Sequence, residues 1–302
     1  MIMSRSISKS SEILNPQPIS RKPMKPINLL VFDSDGVLTS GGAALPMARE
    51  LISTLNARRF PYFVMSNGSF LCPQRKSDGY ARMGLAIEAQ RIIGSAQPLG
   101  EALTRVPRRY GRLFVISAED PGPRLNMHGW EVDNSSPEID GVLLLDDDLH
   151  WTAERLSRLL NRFLQRPDLP LIVPNPDLVY PNQPGRIFPT SGTWARLLCQ
   201  LCAAHGVQLT PVFLGKPYDP IYRSLSVLLE RDHPGLEPAT IAMLGDSPET
   251  DILGANRQGW TSILIKTGNF RYGGHRAGNE ADLCFEDLGA FRRAFLPTLS
   301  NG

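Results

Sequence analysis

The sequence has few cysteines and little net charge for its length. Four cysteines are scattered over 302 residues, too few for the disulfide framework of a secreted chain, so the expected compartment is the cytoplasm. The 32 basic and 30 acidic residues nearly balance, which argues against a surface made for nucleic acid or an anionic membrane. No apolar run approaches the roughly 20 residues needed to cross a bilayer. These absences favour a protein that acts on small molecules.

Acidic residues are almost missing from the N-terminal segment, where Glu12 is the single acid among serines, prolines and basic residues. The segment has no apolar periodicity, so we expect a disordered tail over residues 1–26. A basic, acid-poor segment is also typical of a mitochondrial transit peptide, although the prolines disfavour an amphipathic helix. Mitochondria are therefore the alternative compartment.

Short apolar runs alternate with helical patterns in the rest of the chain. A buried strand begins at Ile27, a helical pattern covers residues 46–59 and a second buried strand covers residues 61–65. A strand, a helix and a strand within this length form a βαβ unit with parallel strands. The sequence therefore predicts an α/β fold built on a doubly wound, Rossmann-like parallel sheet.

An inserted domain is predicted within this sheet-forming region. Residues 27–93 form the first part of the core, and residues 94–188 carry their own strand and helix signals. We interpret this insertion as an α/β cap domain, since insertions of this size commonly cover or select the substrate. Residues 189–302 form the second part of the core, with strands at 212–214, at 240–244 and, as the last one, at 262–266.

Two carboxylates follow the first buried strand. Asp33 and Asp35 are one residue apart, and Gly36 allows close approach of a ligand. Ligands bind at the carboxyl ends of parallel strands. Neighbouring carboxylates repel each other unless a cation lies between them, and Mg²⁺ with a substrate phosphate fits this requirement. One carboxylate could then attack while the other transfers protons, although an isolated Asp-x-Asp-Gly is also an ordinary turn.

Polar residues follow three further predicted strands. Ser66 and Asn67 end the second strand, and their hydroxyl and turn amides could bind phosphoryl oxygens. Lys216 follows the strand at 212–214, and Asp246 with Asp251 follows the strand at 240–244. Each feature alone also fits a turn, a surface lysine or a helix start. Together they supply the nucleophile, proton carrier, fixed cation and metal ligands that phosphoryl transfer needs.

These residues also carry a family resemblance. The segments that begin at Asp33 (Asp-Ser-Asp-Gly-Val), Ser66 (Ser-Asn), Gly215 (Gly-Lys-Pro) and Gly245 (Gly-Asp-x-x-x-x-Asp) resemble the four motifs of the haloacid dehalogenase superfamily. The large α/β insertion between the second and third motifs resembles class IIA, the NagD-like class with a C2-type cap. The resemblance covers roughly residues 27–290.

A narrower likeness begins at Gly245. The run Gly-Asp-Ser-Pro-Glu-Thr-Asp-Ile-Leu-Gly-Ala-Asn is similar to the cat eye syndrome critical region type of hydrolase. That subgroup carries a glycine run after the second motif, whereas Gly68 is followed here by Ser69 and Phe70. The departure concerns local substrate contacts and leaves the core motifs intact.

The resemblance implies a Mg²⁺-dependent phosphatase acting on a small phosphorylated metabolite. Asp33 would form an aspartyl phosphate, and Asp35 would protonate the leaving alcohol and then activate water. The other expected roles are substrate binding by Ser66, Asn67 and Lys216, and metal binding by Asp33, the backbone carbonyl of Asp35, Asp246 and, in support, Asp251.

Other activities are compatible with the same fold. A carbon–halogen hydrolase needs only the nucleophile, so Asp35 and Asp246 argue against it. A phosphomutase would use the same aspartyl phosphate, and a non-catalytic binding or scaffold protein could retain the fold. No nucleic-acid or membrane partner is expected, and a homodimer is left open.

Overall fold

The computed structural model describes residues 26–69, 72–118, 120–145, 151–183, 186–272 and 279–298. The expected disordered tail lies outside the described residues except for Pro26. None of the described helices is both long and apolar enough to cross a bilayer.

The secondary structure alternates between strands and helices, as the sequence predicts. The strands are β1 Leu29–Phe32, β2 Thr39–Ser40, β3 Ala43–Ala44, β4 Tyr62–Ser66, β5 Ile92–Gly94, β6 Arg112–Ile116, β7 Glu131–Val132, β8 Gly141–Leu144, β9 Leu171–Val173, β10 Val179–Gln183, β11 Arg186–Pro189, β12 Val212–Phe213, β13 Ile241–Gly245, β14 Thr261–Ile265 and β15 Leu283–Phe285. The α-helices are α1 Ala48–Ala57, α2 Pro73–Arg82, α3 Leu99–Thr104, α4 Gly122–Met127, α5 Ala153–Gln165, α6 Ser191–Ala203, α7 Asp219–Asp232, α8 Leu253–Arg257 and α9 Leu288–Phe295.

The first sheet has the strand order β15-β14-β13-β1-β4-β5, and all of its pairs are parallel. Both of its faces are buried. Leu30 and Phe32 of β1 belong to an apolar cluster with residues of α1 and α9, whereas Leu29 and Val31 belong to a cluster with residues of α7. Side chains alternate between the two faces of a strand, so the continuous apolar run in β1 suits a doubly wound sheet. The predicted α/β fold class is confirmed.

The second sheet has the order β12-β9-β8-β6-β7 and is also parallel. The prediction that residues 212–214 return to the first sheet is wrong, because β12 pairs with β9. Helix α6 also packs against this sheet through Ala195, Leu198 and Cys202. We refer to the second sheet and the helices packed on it as the second unit. The boundary predicted at residues 188 and 189 stays a prediction, but chain beyond it contributes to the packing of the second sheet.

The C-terminal part of the first sheet also differs from the prediction. Residues 262–266 were expected to form the last strand, whereas β15 adds a further edge strand beside β14. Only Leu283 of this strand is buried, while Cys284 is exposed. A three-residue strand with one buried side chain gives little periodic signal.

Candidate active site

The central strands of the first sheet bring the expected acidic residues together. Phe32, the last residue of β1, pairs with Leu244 of β13 on one side and Val64 of β4 on the other. The residues that follow these parallel strands therefore lie at one edge of the sheet, which is where ligands bind in such folds. Asp33 and Asp246 are both buried there.

Lys216 lies in the centre of this edge and is 1% exposed. Its ammonium is 2.6 Å from Asp33 Oδ1 and 2.7 Å from Asp251 Oδ1, and it donates to the Met65 carbonyl at 2.9 Å. Burial lowers the pKa of Lys216, but Asp251 and Asp33 outweigh burial and hold this pKa above its ordinary value. Lys216 is therefore a fixed cation that orients the Asp33 carboxylate.

Three carboxylates form a cluster that could hold a metal ion. One oxygen each from Asp33, Asp246 and Asp251 lies within 4.8 Å of the others, and all three residues are buried. Asp246 Oδ1 is buried and has no hydrogen-bond partner among the residues that the structure describes. A buried carboxylate oxygen of this kind is costly unless a cation or a donor satisfies it, and Mg²⁺ prefers oxygen ligands. The residues present therefore fit a divalent cation.

Asp251 has a supporting place in this cluster. Its Oδ2 accepts hydrogen bonds from the backbone amides of Asp246 and Ser247, both at 3.1 Å, and its Oδ1 faces Lys216. Both oxygens therefore have protein partners, and Asp251 shapes the loop that carries Asp246. The side chain of Asp35 is not a member of the cluster, so its expected contact with the metal rests on its backbone carbonyl and stays a prediction.

Two glycines pack against the Asp246 carboxylate. Gly36 has φ +98° and Gly268 has φ +42°, and a Cβ added at either position would overlap Asp246 Oδ2. The amide of Asn269 donates to the same oxygen. The close approach of two backbone segments thus fixes one oxygen of Asp246 and leaves Oδ1 for a ligand.

Burial and mutual repulsion raise the pKa values of Asp33 and Asp246. Burial raises the pKa of Asp33 to about 7, with Lys216 opposing this rise and Asp251 adding to it. Burial, Asp33 and Asp251 also raise the pKa of Asp246 well above its ordinary value. Without a cation the cluster thus resists carrying its full negative charge, which is a further reason why a divalent ion suits this site.

Asp35 lies in a more open and more polar setting. Its Oδ1 accepts a hydrogen bond from the Thr39 hydroxyl at 2.9 Å, and its Oδ2 is 3.6 Å from the ammonium of Lys76. The Asp35 side chain is 43% exposed. An accessible carboxylate beside a buried one suits a group that exchanges protons with a substrate or with water.

Ser66 and Asn67 lie where the sequence predicts, but their side chains make different contacts. Ser66 is buried and lines the cavity, with its hydroxyl accepting from the Gly68 amide at 3.1 Å. Asn67 Oδ1 accepts from the Lys216 amide at 2.7 Å, and its Nδ2 donates to the Lys216 carbonyl at 3.0 Å and to Asp177 at 2.9 Å. The Asn67 side chain is therefore committed to protein partners, and its role in substrate binding stays a prediction.

One cavity of about 400 Å³ between the two sheets is lined by all of the site residues that the sequence predicts, namely Asp33, Asp35, Ser66, Asn67, Lys216, Asp246 and Asp251. Other lining residues cannot be placed from the sequence. They come from α2, from the chain between β6 and α6 and from the loop after β14, and they include Lys76, Ser117, Asn175, Asp177, Tyr180, Thr190 and Asn269. Lys76 lies in α2, and nothing in its spacing from Asp35 in the sequence signals that the two side chains meet. Tertiary packing decides these contacts.

Two family models match the chain. Residues 30–131 match the model described as haloacid dehalogenase-like hydrolase. Residues 213–291 match the model described as HAD-hydrolase-like. The first segment contains Asp33 and Asp35, the second contains Lys216, Asp246 and Asp251, and strands β8 and β9 of the second sheet lie between the two segments.

Two characterised relatives cover most of the chain. Dihydroxyacetone phosphatase of Corynebacterium glutamicum is 26% identical over 236 residues, which span 78% of this chain and 80% of that protein. Chronophin of Homo sapiens is 28% identical over 251 residues, which span 79% of this chain and 81% of that protein. The likeness thus includes both sheets.

A solved structure described as a possible sugar phosphatase from Cytophaga hutchinsonii has the same fold. It superposes with a TM-score of 0.73 and 23% sequence identity, covering 88% of this chain and 98% of that chain. At this identity the likeness speaks for the fold alone.

Proposed function

We propose, on the premise that this chain belongs to the haloacid dehalogenase-like hydrolase family, that it is a Mg²⁺-dependent phosphatase of small phosphomonoesters. As a member of this family the chain is a hydrolase, and the relative from Corynebacterium glutamicum is a dihydroxyacetone phosphatase. The proposal adds the metal, the aspartyl-phosphate intermediate and the size of the substrate.

The observation that carries the proposal is the placement of Asp33. Its Oδ1 is held 2.6 Å from the buried ammonium of Lys216, and its carboxylate forms one cluster with those of Asp246 and Asp251. A carboxylate fixed in this way is oriented for attack on an electrophile at the mouth of the cavity. Lys216 also neutralises charge near the atoms that react.

The reaction then follows in two displacements. An oxygen of Asp33 attacks phosphorus, the bond from phosphorus to the ester oxygen breaks, and Asp35 gives its proton to the departing alcohol. Asp35 next takes a proton from water, whose oxygen attacks phosphorus and releases phosphate from Asp33. Asp33 and Asp246 would hold Mg²⁺, which would supply positive charge to stabilise the phosphoryl oxygens.

The chain between β9 and α6 restricts which esters can react. Its residues Asn175, Asp177, Tyr180 and Thr190 line the cavity. A volume of about 400 Å³ accommodates a metabolite-sized molecule. A small phosphorylated metabolite is therefore the proposed substrate.

Phosphate release from a panel of esters tests the proposal. The panel contains sugar phosphates, nucleotides, phosphoglycolate, pyridoxal phosphate and p-nitrophenyl phosphate, each with Mg²⁺ or with a chelator. We expect wild-type protein to release phosphate only with the metal, and Asp33→Asn to lose at least roughly a thousandfold in rate. Turnover that survives in Asp33→Asn would refute the assigned nucleophile, and release of an isomeric phosphate ester instead of phosphate would indicate a mutase.

A further inference from the structure

The two lysines that line the cavity differ in their burial and in their contacts. Among the described residues that line it, the cationic side chains are Lys76 and Lys216. Lys216 is 1% exposed and contacts Asp33, Asp251 and the Met65 carbonyl. Lys216 therefore serves the protein's own acids, and it cannot turn toward a distant part of a substrate without abandoning them.

Lys76 is placed differently. It lies in α2, and its side chain is 25% exposed while it lines the cavity. Its ammonium is 5.4 Å from the centre of the Tyr80 ring and 3.6 Å from Asp35 Oδ2. The second distance exceeds that of a hydrogen bond, and a partly exposed ion pair of this kind contributes little free energy. The contact of Lys76 with Asp35 is therefore a weak one, and the Lys76 side chain also faces the cavity.

The position of Lys76 is tied to the loop that carries Asp35. The Tyr80 hydroxyl donates to Ser34 Oγ at 2.6 Å, and Tyr80 is fully buried. Lys76 and Tyr80 are four residues apart in α2 and thus lie on the same face of the helix. The ammonium is held beside Asp35 by packing as well as by charge.

We propose that Lys76 binds a carboxylate of the substrate, next to the ester oxygen of the leaving group. The proposal rests on the proposed function, in which Asp35 protonates that oxygen and must approach it within about 3.2 Å. Since Lys76 lies next to Asp35, it reaches a group attached one carbon beyond the ester oxygen. The substrate class is therefore a phosphorylated hydroxy acid.

The acidic residues that line the cavity restrict this preference to a carboxylate beside Lys76. Asp33, Asp35, Asp177, Asp246 and Asp251 all line the cavity, so a second anion on the substrate is repelled wherever no cation faces it. A carboxylate beside Lys76 instead gains a charge-assisted hydrogen bond, which is stronger than a bond to a neutral hydroxyl. Only an anion close to the leaving-group oxygen lies near enough to Lys76 to form this hydrogen bond.

A matched pair of substrates tests the proposal. 2-Phosphoglycolate carries the carboxylate, and the phosphate ester of glycolamide replaces it with a neutral amide of similar shape. We expect wild-type protein to prefer the acid in kcat/KM by roughly tenfold or more, because it gains a charge-assisted bond. Lys76→Met should remove this preference by slowing the acid, while the amide changes by less than about twofold. Lys76→Arg should retain most of the preference.

Arg75→Met is the matched control. Arg75 is the preceding residue of α2, is exposed and does not line the cavity, so its loss should leave the ratio between the two substrates unchanged. The proposal is wrong if wild-type protein shows no preference for the acid, or if Lys76→Met slows both substrates equally.

Binding separates this proposal from the proposed function. Titration calorimetry of both esters with Asp33→Asn protein and Mg²⁺ needs no turnover. Tighter binding of the acid that disappears in Asp33→Asn/Lys76→Met supports the carboxylate site even if wild-type protein hydrolyses neither ester. Equal affinities in the two proteins refute the carboxylate site even if phosphatase activity is found.

Discussion

At the scale of single residues, the site depends on a buried lysine between two carboxylates. Lys216 is 2.6 Å from Asp33 and 2.7 Å from Asp251, and the three side chains are almost fully buried. Such an arrangement is stable only when every charge keeps its partner, because removing one ion leaves the others unpaired in a region of low polarity. The same arrangement holds Asp33 in place for attack.

Lys216→Met tests this dependence through stability. We expect the variant to lose about 3 to 5 kcal/mol of unfolding free energy, the usual cost of breaking a buried ion pair. The loss should grow with increasing pH, because the Asp33 carboxyl, whose pKa burial raises to about 7, escapes it at lower pH by taking up a proton. Chemical denaturation at several pH values measures both effects.

The control for this variant is Lys266→Met. Lys266 forms an ion pair with Glu286 at 2.6 Å, but the two side chains are 35% and 62% exposed. We expect a loss below about 1 kcal/mol. An equally small loss in Lys216→Met would contradict the account of the buried triad.

At the scale of elements, the loops that follow β1 and β14 meet at Asp246. Gly36 and Gly268 lie so close to this carboxylate that a side chain at either position would overlap it. The sequence predicts the Asp-x-Asp-Gly turn and the loop after β13, because both follow clear apolar strands. It does not predict that Gly268 approaches the same oxygen, since that contact depends on how β14 and its loop pack beside β13.

Gly36→Ala tests whether this close packing serves the metal. The added methyl group should displace Asp246, and the Mg²⁺ concentration for half-maximal activity should rise roughly tenfold or more, as for other residues that support metal ligands. Gly42→Ala is the control, because Gly42 also has positive φ (+79°) but nothing within 4 Å of an added Cβ. Both variants carry the backbone strain of an alanine at positive φ. Equal Mg²⁺ requirements in the two variants would argue against the role of Gly36.

At the scale of the whole molecule, two parallel sheets enclose the cavity, and the sequence predicts them unequally. The first sheet follows from short, clear apolar runs and their polar ends. The sequence places the strand before Lys216 in the wrong sheet, because a run such as Val212 to Leu214 indicates that a segment is buried without indicating which strand it pairs with. Its pairing with β9 joins segments about forty residues apart.

The contribution of the second unit to the cavity could not be predicted for a related reason. Asp177 is brought to Asn67 by packing between the two units, at a sequence separation of 110 residues. Local patterns carry no information about such a contact. The motifs therefore predict the chemistry at the strand ends. The surface that selects the substrate can be identified only from the folded structure.

The central claim is that Asp33 becomes phosphorylated, and rapid mixing of Asp35→Asn with p-nitrophenyl phosphate and Mg²⁺ tests it most directly. Nitrophenolate leaves without needing a proton from residue 35, while the second displacement lacks its base. We predict a burst of about one nitrophenolate per protein molecule followed by slow turnover, and no burst in Asp33→Asn. Steady turnover without a burst in Asp35→Asn, or a burst of the same size in Asp33→Asn, would contradict the account.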